Sequence, residues 1–517
     1  MSHPGESVAP LGSCAIVLHT HLPWLAHHGS WPVGEEWLYQ SWAASYLPVA
    51  AMLRRLAEEG RRDLLTLGVT PVLAAQLDDP YCLQEFHTWL GFWSVRAQSM
   101  AGRRSPEDRA TGSYEFAQAQ QALAAFDDKW RHGASPVLRA LSDSGAVELL
   151  GGPASHPFQP LLDARVARFA LDAGLDDAAV RLGARPAGIW APECGYRPGL
   201  EDLYAQAGVR RFLVDGPTLL GAGRSTGAGW TVGDTDVVAF GRDLEVTYRV
   251  WSPRKGYPGG RWYRDFHTYD HDSGLKPARV TSRSTGGQDK APYDRDRAAG
   301  QVRADAADFV DVVRRRLLQL ADQRGGRPGL VVVAYDTELF GHWWHEGPAF
   351  LEQVLRLLPE AGVRVTTLRG ATEAGHVEGR ADLGPGSWGS GKDWRVWDGA
   401  QVADLVDDNA RLQKRWLDAV DGAMRPPSHG RDPALDQLSR DALLALSSDW
   451  AFMVTKDSAA GYARDRAAGH LARFHRLADA IGRDTGRAQA QARALAALHR
   501  ADDGPFAHLD ARALRRL

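Results

Sequence analysis

The 517-residue chain has only three cysteines, no long apolar run and almost no net charge. Cys14, Cys82 and Cys194 are widely spaced, so they make neither a disulfide framework nor a zinc pattern. No apolar run approaches the ~20 residues of a membrane span, and a formal net charge of -3 gives no basic surface for nucleic acid or anionic membranes. Residues 1–7 lack the basic and apolar regions of a signal peptide. We therefore expect a cytoplasmic protein with neither a nucleic-acid nor a membrane partner.

Tryptophan, in contrast, is unusually abundant. The chain has 18 tryptophans against 15 phenylalanines and 13 tyrosines. Many of them lie beside Gly, Pro, Asp or His, as at Trp388-Gly389 and Trp397-Asp398. Indole rings stack on the apolar faces of sugars while the ring N–H finds a polar partner. Some of these tryptophans must fill hydrophobic cores, and the remainder favour a carbohydrate-binding site.

Two apolar runs predict buried strands that are each followed by a carboxylate. Residues 188–191 lead to Glu193, and residues 330–335 lead to Asp336. In a parallel α/β barrel, active-site groups collect at the carboxyl ends of the strands. Two carboxylates in an aromatic cleft suit cleavage of a glycosidic bond, because one can attack the sugar while the other protonates the leaving oxygen. The two runs are equally compatible with unrelated surface carboxylates.

Histidines follow two further predicted strands. His19 and His21 come after residues 14–18 and share one face of an extended chain, and His156 comes after residues 147–152. A histidine pair with this spacing can bind a metal, or it can donate hydrogen bonds to a substrate. A third possibility is a network at the strand end that merely satisfies these side chains.

The order of predicted elements indicates an α/β protein with three parts. Strands and helices alternate over residues 1–79 and 133–400, which favours βα units around a parallel sheet as the catalytic part. Residues 80–132 break this alternation and are interpreted as a helical insertion. Apolar stripes at helical spacing predict an all-helical C-terminal domain over residues 401–517. The shorter segments predicted are a strand at 246–251 and loops at 219–233 and 270–297.

Five motifs in order along the chain resemble the signature regions of the family-57 glycoside hydrolases. They are His19-Thr20-His21-Leu22-Pro23, residues 151–156, Trp190-Ala191-Pro192-Glu193-Cys194, residues 335–344 and residues 387–397. The helical C-terminal third is similar to that of the α-1,4-glucan branching enzymes in this family. The resemblance therefore covers essentially the whole chain. It implies an incomplete seven-stranded (β/α) barrel with a helical insertion, and a retaining mechanism without cofactor or metal.

The same resemblance implies roles for individual residues and a substrate. Glu193 matches the family nucleophile and Asp336 the general acid/base, while His19 and His156 match residues of the donor-sugar site, with His21 close by. The tryptophans expected to contact or hold the glucan are Trp190, Trp251, Trp262, Trp343, Trp388 and Trp397. The implied reaction cleaves an α-1,4 bond through a covalent glucosyl-enzyme and transfers the chain to a 6-hydroxyl of an α-1,4-glucan.

One segment departs from the family pattern. Residues 219–233 are short and contain no tyrosine, whereas the branching enzymes of the family carry a longer loop with a tyrosine that favours transfer over hydrolysis. An amylase-like hydrolase or a 4-α-glucanotransferase therefore stays open. A metal-dependent hydrolase is disfavoured because His19-Thr20-His21 lacks an expected carboxylate. A non-catalytic glucan-binding protein is disfavoured because the chain retains both carboxylates.

Overall fold

A computed structural model of the protein describes residues 10–31, 33–252, 254–423, 430–483 and 485–516. The residues on which the expected absence of a signal peptide rests lie outside these ranges. The α/β class is confirmed, since strands and helices alternate through the first three quarters of the described chain and helices alone follow.

Within the described residues, ten strands form two five-stranded sheets. The strands are β1 (Gly12–Thr20), β2 (Leu65–Val69), β3 (Val147–Leu150), β4 (Gly188–Ile189), β5 (Arg211–Val214), β6 (Gly229–Val232), β7 (Val238–Gly241), β8 (Gly329–Asp336), β9 (Val363–Thr366) and β10 (Val377–Ala381). The first sheet has the order β3-β2-β1-β8, with β9 also paired to β1, and the second has the order β10-β6-β7-β5-β4. Every residue of β1 is buried, as expected for a parallel strand covered on both faces.

Backbone contacts connect the two sheets on both sides. Gly151, which follows β3, forms a parallel bridge with Ile189 in β4. On the other side, the backbone N–H of Asp243 donates to the carbonyl of Val332 in β8 at 2.7 Å. The sheets therefore share an interior, which contains a cluster of buried residues including Val17, Leu150, Leu213, Phe240 and Val332.

Eighteen α-helices lie in the described residues. They are α1 (Glu35–Ser41), α2 (Leu47–Glu58), α3 (Pro71–Leu77), α4 (Pro80–Ala101), α5 (Pro106–Ala125), α6 (Ser135–Asp143), α7 (Ala164–Leu182), α8 (Leu200–Gln206), α9 (Gly216–Gly221), α10 (Leu244–Trp251), α11 (Arg295–Gln323), α12 (Gly347–Glu360), α13 (Leu368–Glu373), α14 (Ala403–Ala423), α15 (Pro433–Ala445), α16 (Ser448–Lys456), α17 (Ala460–Ile481) and α18 (Gly486–Asp502). None of them is both long and apolar enough to cross a membrane.

The helices α4 and α5 form a hairpin between β2 and β3, in the stretch predicted as an insertion. Asp79 and Ser105 cap their N-termini: the Asp79 carboxylate accepts from Tyr81 N–H at 2.9 Å, and the Ser105 hydroxyl accepts from Asp108 N–H at 3.2 Å. Each cap is followed by a proline in the first turn, which favours a helix start at that point.

The C-terminal helices contact the strand ends directly. The apolar periodicity predicts one helix over residues 433–453, but Leu446 and Ser447 divide this stretch into α15 and α16. Ser447 forms an antiparallel bridge with Pro157, and the N–H of Ser448 donates to the carbonyl of His156 at 3.0 Å. These contacts with the β3–α7 connection hold the start of α16 beside the carboxyl ends of the strands.

Two predicted segments differ from the structure. Residues 246–251 form the helix α10 instead of a strand, because Asp243 caps Val246 N–H at 3.2 Å and the face with Val246 and Val250 is buried. Residues 219–233 are not one loop, since they contain the end of α9 and the strand β6. That strand is stabilised by pairing with β7 and with the distant β10. Because β6 and β10 are far apart in sequence, their pairing leaves no pattern in the residues around β6.

Candidate active site

The two central strands of the first sheet place His19 directly beside Asp336. The strands β1 and β8 are parallel, and the Cα atoms of these two residues are partners in their register. Asp336 is the last residue of β8 and is half-buried, while His19 is only 2% exposed. The apolar runs that precede both residues are in the core, so the polar side chains emerge where each run ends.

Glu193 lies on a strained turn just after β4. Its backbone φ of 60° and ψ of 19° are in the left-handed region, which is uncommon for residues other than glycine. His156 has a similar φ of 59°. Left-handed conformations of this kind concentrate at functional sites, where the surrounding structure holds them in place.

Both carboxylate oxygens of Glu193 accept a hydrogen bond from a distant segment. The Ser448 hydroxyl donates to Oε1 at 2.7 Å, and the Trp388 indole N–H donates to Oε2 at 2.8 Å. The backbone N–H of Trp388 also donates to the carbonyl of Glu193 at 2.9 Å. The carboxylate is thus fixed between α16 on one side and the segment after β10 on the other.

Three histidines and Trp190 form a stack next to Glu193. The ring centroids of His21 and His156 are 3.8 Å apart, those of His19 and His156 are 5.0 Å apart, and those of His19 and Trp190 are 4.2 Å apart. Nδ1 of His156 is 3.0 Å from the Ser448 hydroxyl oxygen. Because that hydroxyl donates to Glu193, it accepts from His156, and Nε2 of a neutral His156 is left as an acceptor.

Several buried polar atoms of this stack have no hydrogen-bond partner among the described residues. They are both ring nitrogens of His19, Nε2 of His156 and Nε1 of Trp190. Buried polar groups in proteins are almost always hydrogen-bonded, either within the chain or to a ligand or water. Donors and acceptors clustered in this way suit the hydroxyl groups of a sugar.

Burial raises the pKa of both candidate carboxylates, and different neighbouring groups act on each of them. Burial, with the charges of Glu338 and Glu193, raises the pKa of Asp336 well above its usual value. Burial and Asp449 raise the pKa of Glu193 to about 7, although the hydrogen bonds from Trp388 and Ser448 act in the opposite direction. Burial thus favours the protonated form of Asp336, as an acid requires, while the hydrogen bonds from Trp388 and Ser448 favour the ionised form of Glu193, as a nucleophile requires.

The histidines differ in charge for equally local reasons. Burial lowers the pKa of His19 and of His156 well below the usual value, so both rings are neutral. Burial also acts to lower the pKa of His21, but the carboxylates of Asp449, Glu193 and Glu338 outweigh it and raise the pKa. Nε2 of His21 is 2.9 Å from Asp449, an ion pair that favours the charged ring.

Four residues of the site were not found from the sequence. Ser448 and Asp449 begin α16, and Tyr46 donates to Glu338 Oε1 at 2.5 Å. Glu338 also accepts from the N–H of His21 at 3.3 Å, and burial raises its pKa to about 7. Its position two residues after Asp336 could have indicated it. Ser448 and Asp449 lie in a stretch with helical periodicity, which does not indicate that they contact a strand end.

The remaining predicted tryptophans lie in different surroundings. Trp343 is 39% exposed, and its ring is in edge contact with Trp251 at 6.1 Å. Trp397 is only 2% exposed and stacks on Phe158 at 4.7 Å, so neither ring face is open. Trp262 contacts three arginines. The structure thus brings Trp190 and Trp388 to the Glu193 cluster, while the ring contacts of the other four are with different residues.

Two groups of described residues have the spacing of metal ligands. They are His21, His156 and Asp449, and His28, His470 and Asp503. In each group the carboxylate is already hydrogen-bonded to a histidine, at 2.9 Å in the first and 2.7 Å in the second. In the first group the two ring nitrogens of His21 are hydrogen-bonded to Thr70 and Asp449, so the arrangement favours a hydrogen-bond network.

Comparison with known proteins places this geometry in a family. The sequence model of glycosyl hydrolase family 57 matches residues 15–381, and that of the C-terminal part of 1,4-alpha-glucan branching enzymes matches residues 410–513. A probable 1,4-alpha-glucan branching enzyme of Mycobacterium tuberculosis is 55% identical, covering 98% of this chain and 99% of the relative.

Solved structures agree with the sequence matches. The GH57-type branching enzyme of Pyrococcus horikoshii superposes with a TM-score of 0.90 at 30% identity, over 98% of this chain and 97% of that chain. The α-amylase AmyC of Thermotoga maritima superposes with a TM-score of 0.86 at 26% identity, over 98% and 99%. The sequence and structural matches extend over the whole catalytic and helical regions, and this chain belongs to glycosyl hydrolase family 57.

Proposed function

We propose that this protein is a 1,4-α-glucan branching enzyme. It cleaves an α-1,4 bond of a glucan and transfers the released chain to a 6-hydroxyl, with no cofactor. The observation that carries the proposal is geometric: Ser448 and Trp388 hold the Glu193 carboxylate next to the histidine stack, and His19 of that stack is the register partner of Asp336. The branching-enzyme relatives, matched over almost the entire chain, support the same activity.

The two carboxylates take the two roles of a retaining mechanism. Glu193 attacks the anomeric carbon while the bond from that carbon to the glycosidic oxygen breaks, and Asp336 gives its proton to the departing oxygen. The ionised Asp336 then takes the proton of an acceptor 6-hydroxyl, whose oxygen attacks the anomeric carbon and releases Glu193. The raised pKa of Asp336 supports its starting state as an acid.

The unpartnered nitrogens of the histidine stack support a role in binding the donor sugar. In this proposal, His156 Nε2 accepts from a sugar hydroxyl, and His19 and Trp190 make further hydrogen bonds there. The charged His21 stays paired with Asp449 and holds the stack in place. Trp343, half-open and in contact with Trp251, is a candidate platform for the glucan. The platform roles of Trp262 and Trp397 stay predictions.

The proposed architecture is an incomplete seven-stranded barrel in the order β8-β1-β2-β3-β4-β5-β7. The bridge between Gly151 and Ile189 and the hydrogen bond from Asp243 to Val332 support a continuous ring of strands. The proposed division has a catalytic part at 1–79 and 133–400, an insertion at 80–132 and a helical domain at 401–517.

The expected cytoplasmic location and the absence of nucleic-acid and membrane partners also stay predictions.

Hydrolysis is the second candidate outcome, because two observations favour it. The segment 219–233 contains no tyrosine, and the α-amylase of Thermotoga maritima is also similar in structure. Thr226 in this segment donates to Asp243 at 3.3 Å, so the segment packs on the protein beside β7. We therefore expect branching accompanied by appreciable hydrolysis, since a cleft that is not sealed admits water.

The test incubates amylose with the protein and follows reducing ends and α-1,6 linkages in parallel, the latter by proton NMR. New α-1,6 linkages with a slower rise in reducing ends are expected. Reducing ends that rise with no α-1,6 signal would show a hydrolase and contradict the branching proposal. Redistributed chain lengths with constant reducing ends and no α-1,6 signal would instead indicate a 4-α-glucanotransferase, because that reaction replaces each broken α-1,4 bond by a new one. The Glu193→Gln variant is the control, and it should form no product.

A further inference from the structure

Trp262 lies at the centre of a group of three arginines away from the Glu193 cluster. The guanidinium carbons of Arg279, Arg297 and Arg261 are 4.2, 4.4 and 4.8 Å from the centroid of its ring. These residues come from three places in the chain: the turn before Trp262, the irregular segment after it, and the first turn of α11. Since they are far apart in sequence, the fold and not a basic run of residues brings the three charges together.

The positive charge of this group is only partly neutralised. Among the described residues, Arg297 has one carboxylate partner, Asp294 at 3.3 Å, while Arg261 and Arg279 form no ion pair within 4.0 Å. Arg279 instead donates to the backbone carbonyl of Arg261 at 2.9 Å. Contact with an indole face stabilises a guanidinium, but it leaves the full charge and most of the N–H donors available. The local excess stands out in a chain whose net charge is -3.

Two of the three arginines, Arg261 and Arg297, line a surface cavity of about 540 Å³. Its lining residues are Arg261, Trp262, Arg297, Gly300, Gln301 and Asp305. Gln301 accepts from the N–H of Trp262 at 3.2 Å, and the Asp305 carboxylate accepts from the Tyr263 hydroxyl at 2.6 Å. A side chain at Gly260 would collide with Gln301, because a Cβ there would lie 1.7 Å from its amide nitrogen. The polar floor of the cavity is therefore held by specific contacts.

We propose that this cavity is a second ligand site, which binds a phosphate group. Guanidinium groups hold phosphate oxygens through paired N–H donors, and two of them lining one cavity, with a third against the same indole ring, favour a dianion over a neutral hydroxyl group. The phosphate can be a monoester on a sugar or glucan chain, or it can be free inorganic phosphate. The site is independent of the catalytic roles proposed above, since it shares no residue with the Glu193 cluster.

Isothermal titration calorimetry with inorganic phosphate, glucose 6-phosphate and glucose tests the proposal. The wild-type protein is expected to bind at least one of the two phosphate ligands with a Kd below about 1 mM and to bind glucose more weakly. Tighter binding of glucose 6-phosphate would identify a sugar phosphate as the ligand, and equal binding would identify phosphate itself. High salt should weaken either interaction.

The double variant Arg261→Gln/Arg297→Gln, which removes both arginines that line the cavity, is expected to weaken phosphate binding by about tenfold or more. Arg314→Gln, which removes an exposed charge from a later turn of the same helix α11, is the matched control and should leave binding unchanged. The single variant Arg297→Gln changes only an exposed side chain, so it provides a second test if the double variant is unstable. Wild-type affinity in the double variant, or no phosphate binding by the wild type, would overturn the proposal.

Discussion

The hydroxyl of Ser448 should control the proton affinity of the proposed nucleophile. It donates to Glu193 Oε1 at 2.7 Å from the buried start of α16, and this hydrogen bond stabilises the ionised carboxylate. The Ser448→Ala variant removes the donor without adding volume. The pKa of Glu193, about 7 in the intact site, should therefore rise.

The size of the effect follows from the strength of a hydrogen bond to a charged group. Such a bond contributes about 1.5–3 kcal/mol, and one pKa unit corresponds to about 1.4 kcal/mol. The pKa of Glu193 should thus rise by about one to two units in Ser448→Ala. Because the reaction needs an ionised Glu193, kcat/KM at pH 7 should fall by about 5- to 50-fold.

The assay measures kcat/KM on amylose as a function of pH for the wild type and the variant. The acid limb, on which activity rises as Glu193 loses its proton, should move to higher pH in Ser448→Ala, and the two profiles should approach each other above that limb. Ser448→Thr, which keeps the hydroxyl, should restore the wild-type limb. Thr455→Ala is the matched control, because it removes a hydroxyl from the same helix that donates only to Val396.

An acid limb that stays in place in Ser448→Ala would refute this reasoning. A uniform loss of activity at every pH would show that the serine acts on folding or geometry instead of on ionisation. The neighbouring carboxylates titrate together, so the limb belongs to the group as a whole. The comparison between variants measures the contribution of the hydroxyl all the same.

Other residues provide three further tests. Glu193→Gln and Asp336→Asn should each lower turnover by about 100-fold or more with unchanged melting temperature, and retention of about a tenth of the rate would contradict the assigned role. Trp388→Ala should slow turnover about tenfold by removing a donor to Glu193, whereas Trp397→Ala should lower the free energy of unfolding by about 3 kcal/mol or more, because the ring is buried. A stable Trp397→Ala protein with weaker glucan binding would instead show a platform. Asp503→Asn should lower the stability measured by thermal unfolding by about 3 kcal/mol at neutral pH. Burial alone would raise the pKa of Asp503, but His28 and His470 outweigh it and hold the pKa far below its usual value. The stability deficit should therefore shrink as pH falls below about 4, and a deficit that is independent of pH would contradict this reasoning.

The sequence was informative wherever function and local pattern coincide. An apolar run that ends in a polar residue predicts a strand end, and this rule led to His19, His156, Glu193 and Asp336. The structure has His19 and Asp336 as register partners and His156 within 3.8 Å of Glu193. The comparisons confirm the family and the α/β class with its helical C-terminal region, and the branching-enzyme relatives support the activity predicted from the motifs.

Long-range contacts, by contrast, could not be predicted. Ser448 is 255 residues from Glu193 in sequence and starts a helix whose pattern indicates only an apolar face. Likewise, β6 exists because of its partners, and the β-branched residues of α10 favour a strand until the Asp243 cap is known. The stacking of Trp397 on Phe158 is a long-range contact of the same kind, since the two residues are far apart in sequence.

The position of Glu193 depends on parts of the chain that lie far from it. Its left-handed backbone costs about 1–3 kcal/mol, so contacts from elsewhere must hold it. Trp388 supplies a backbone and an indole hydrogen bond, and α16 supplies the Ser448 hydroxyl. Asp449, the next residue of α16, keeps His21 charged beside the same carboxylate. The helical region is therefore part of the candidate active site as well as of the fold. Neither residues 15–381 nor residues 410–513, the two segments that match the family models, contain the complete site alone.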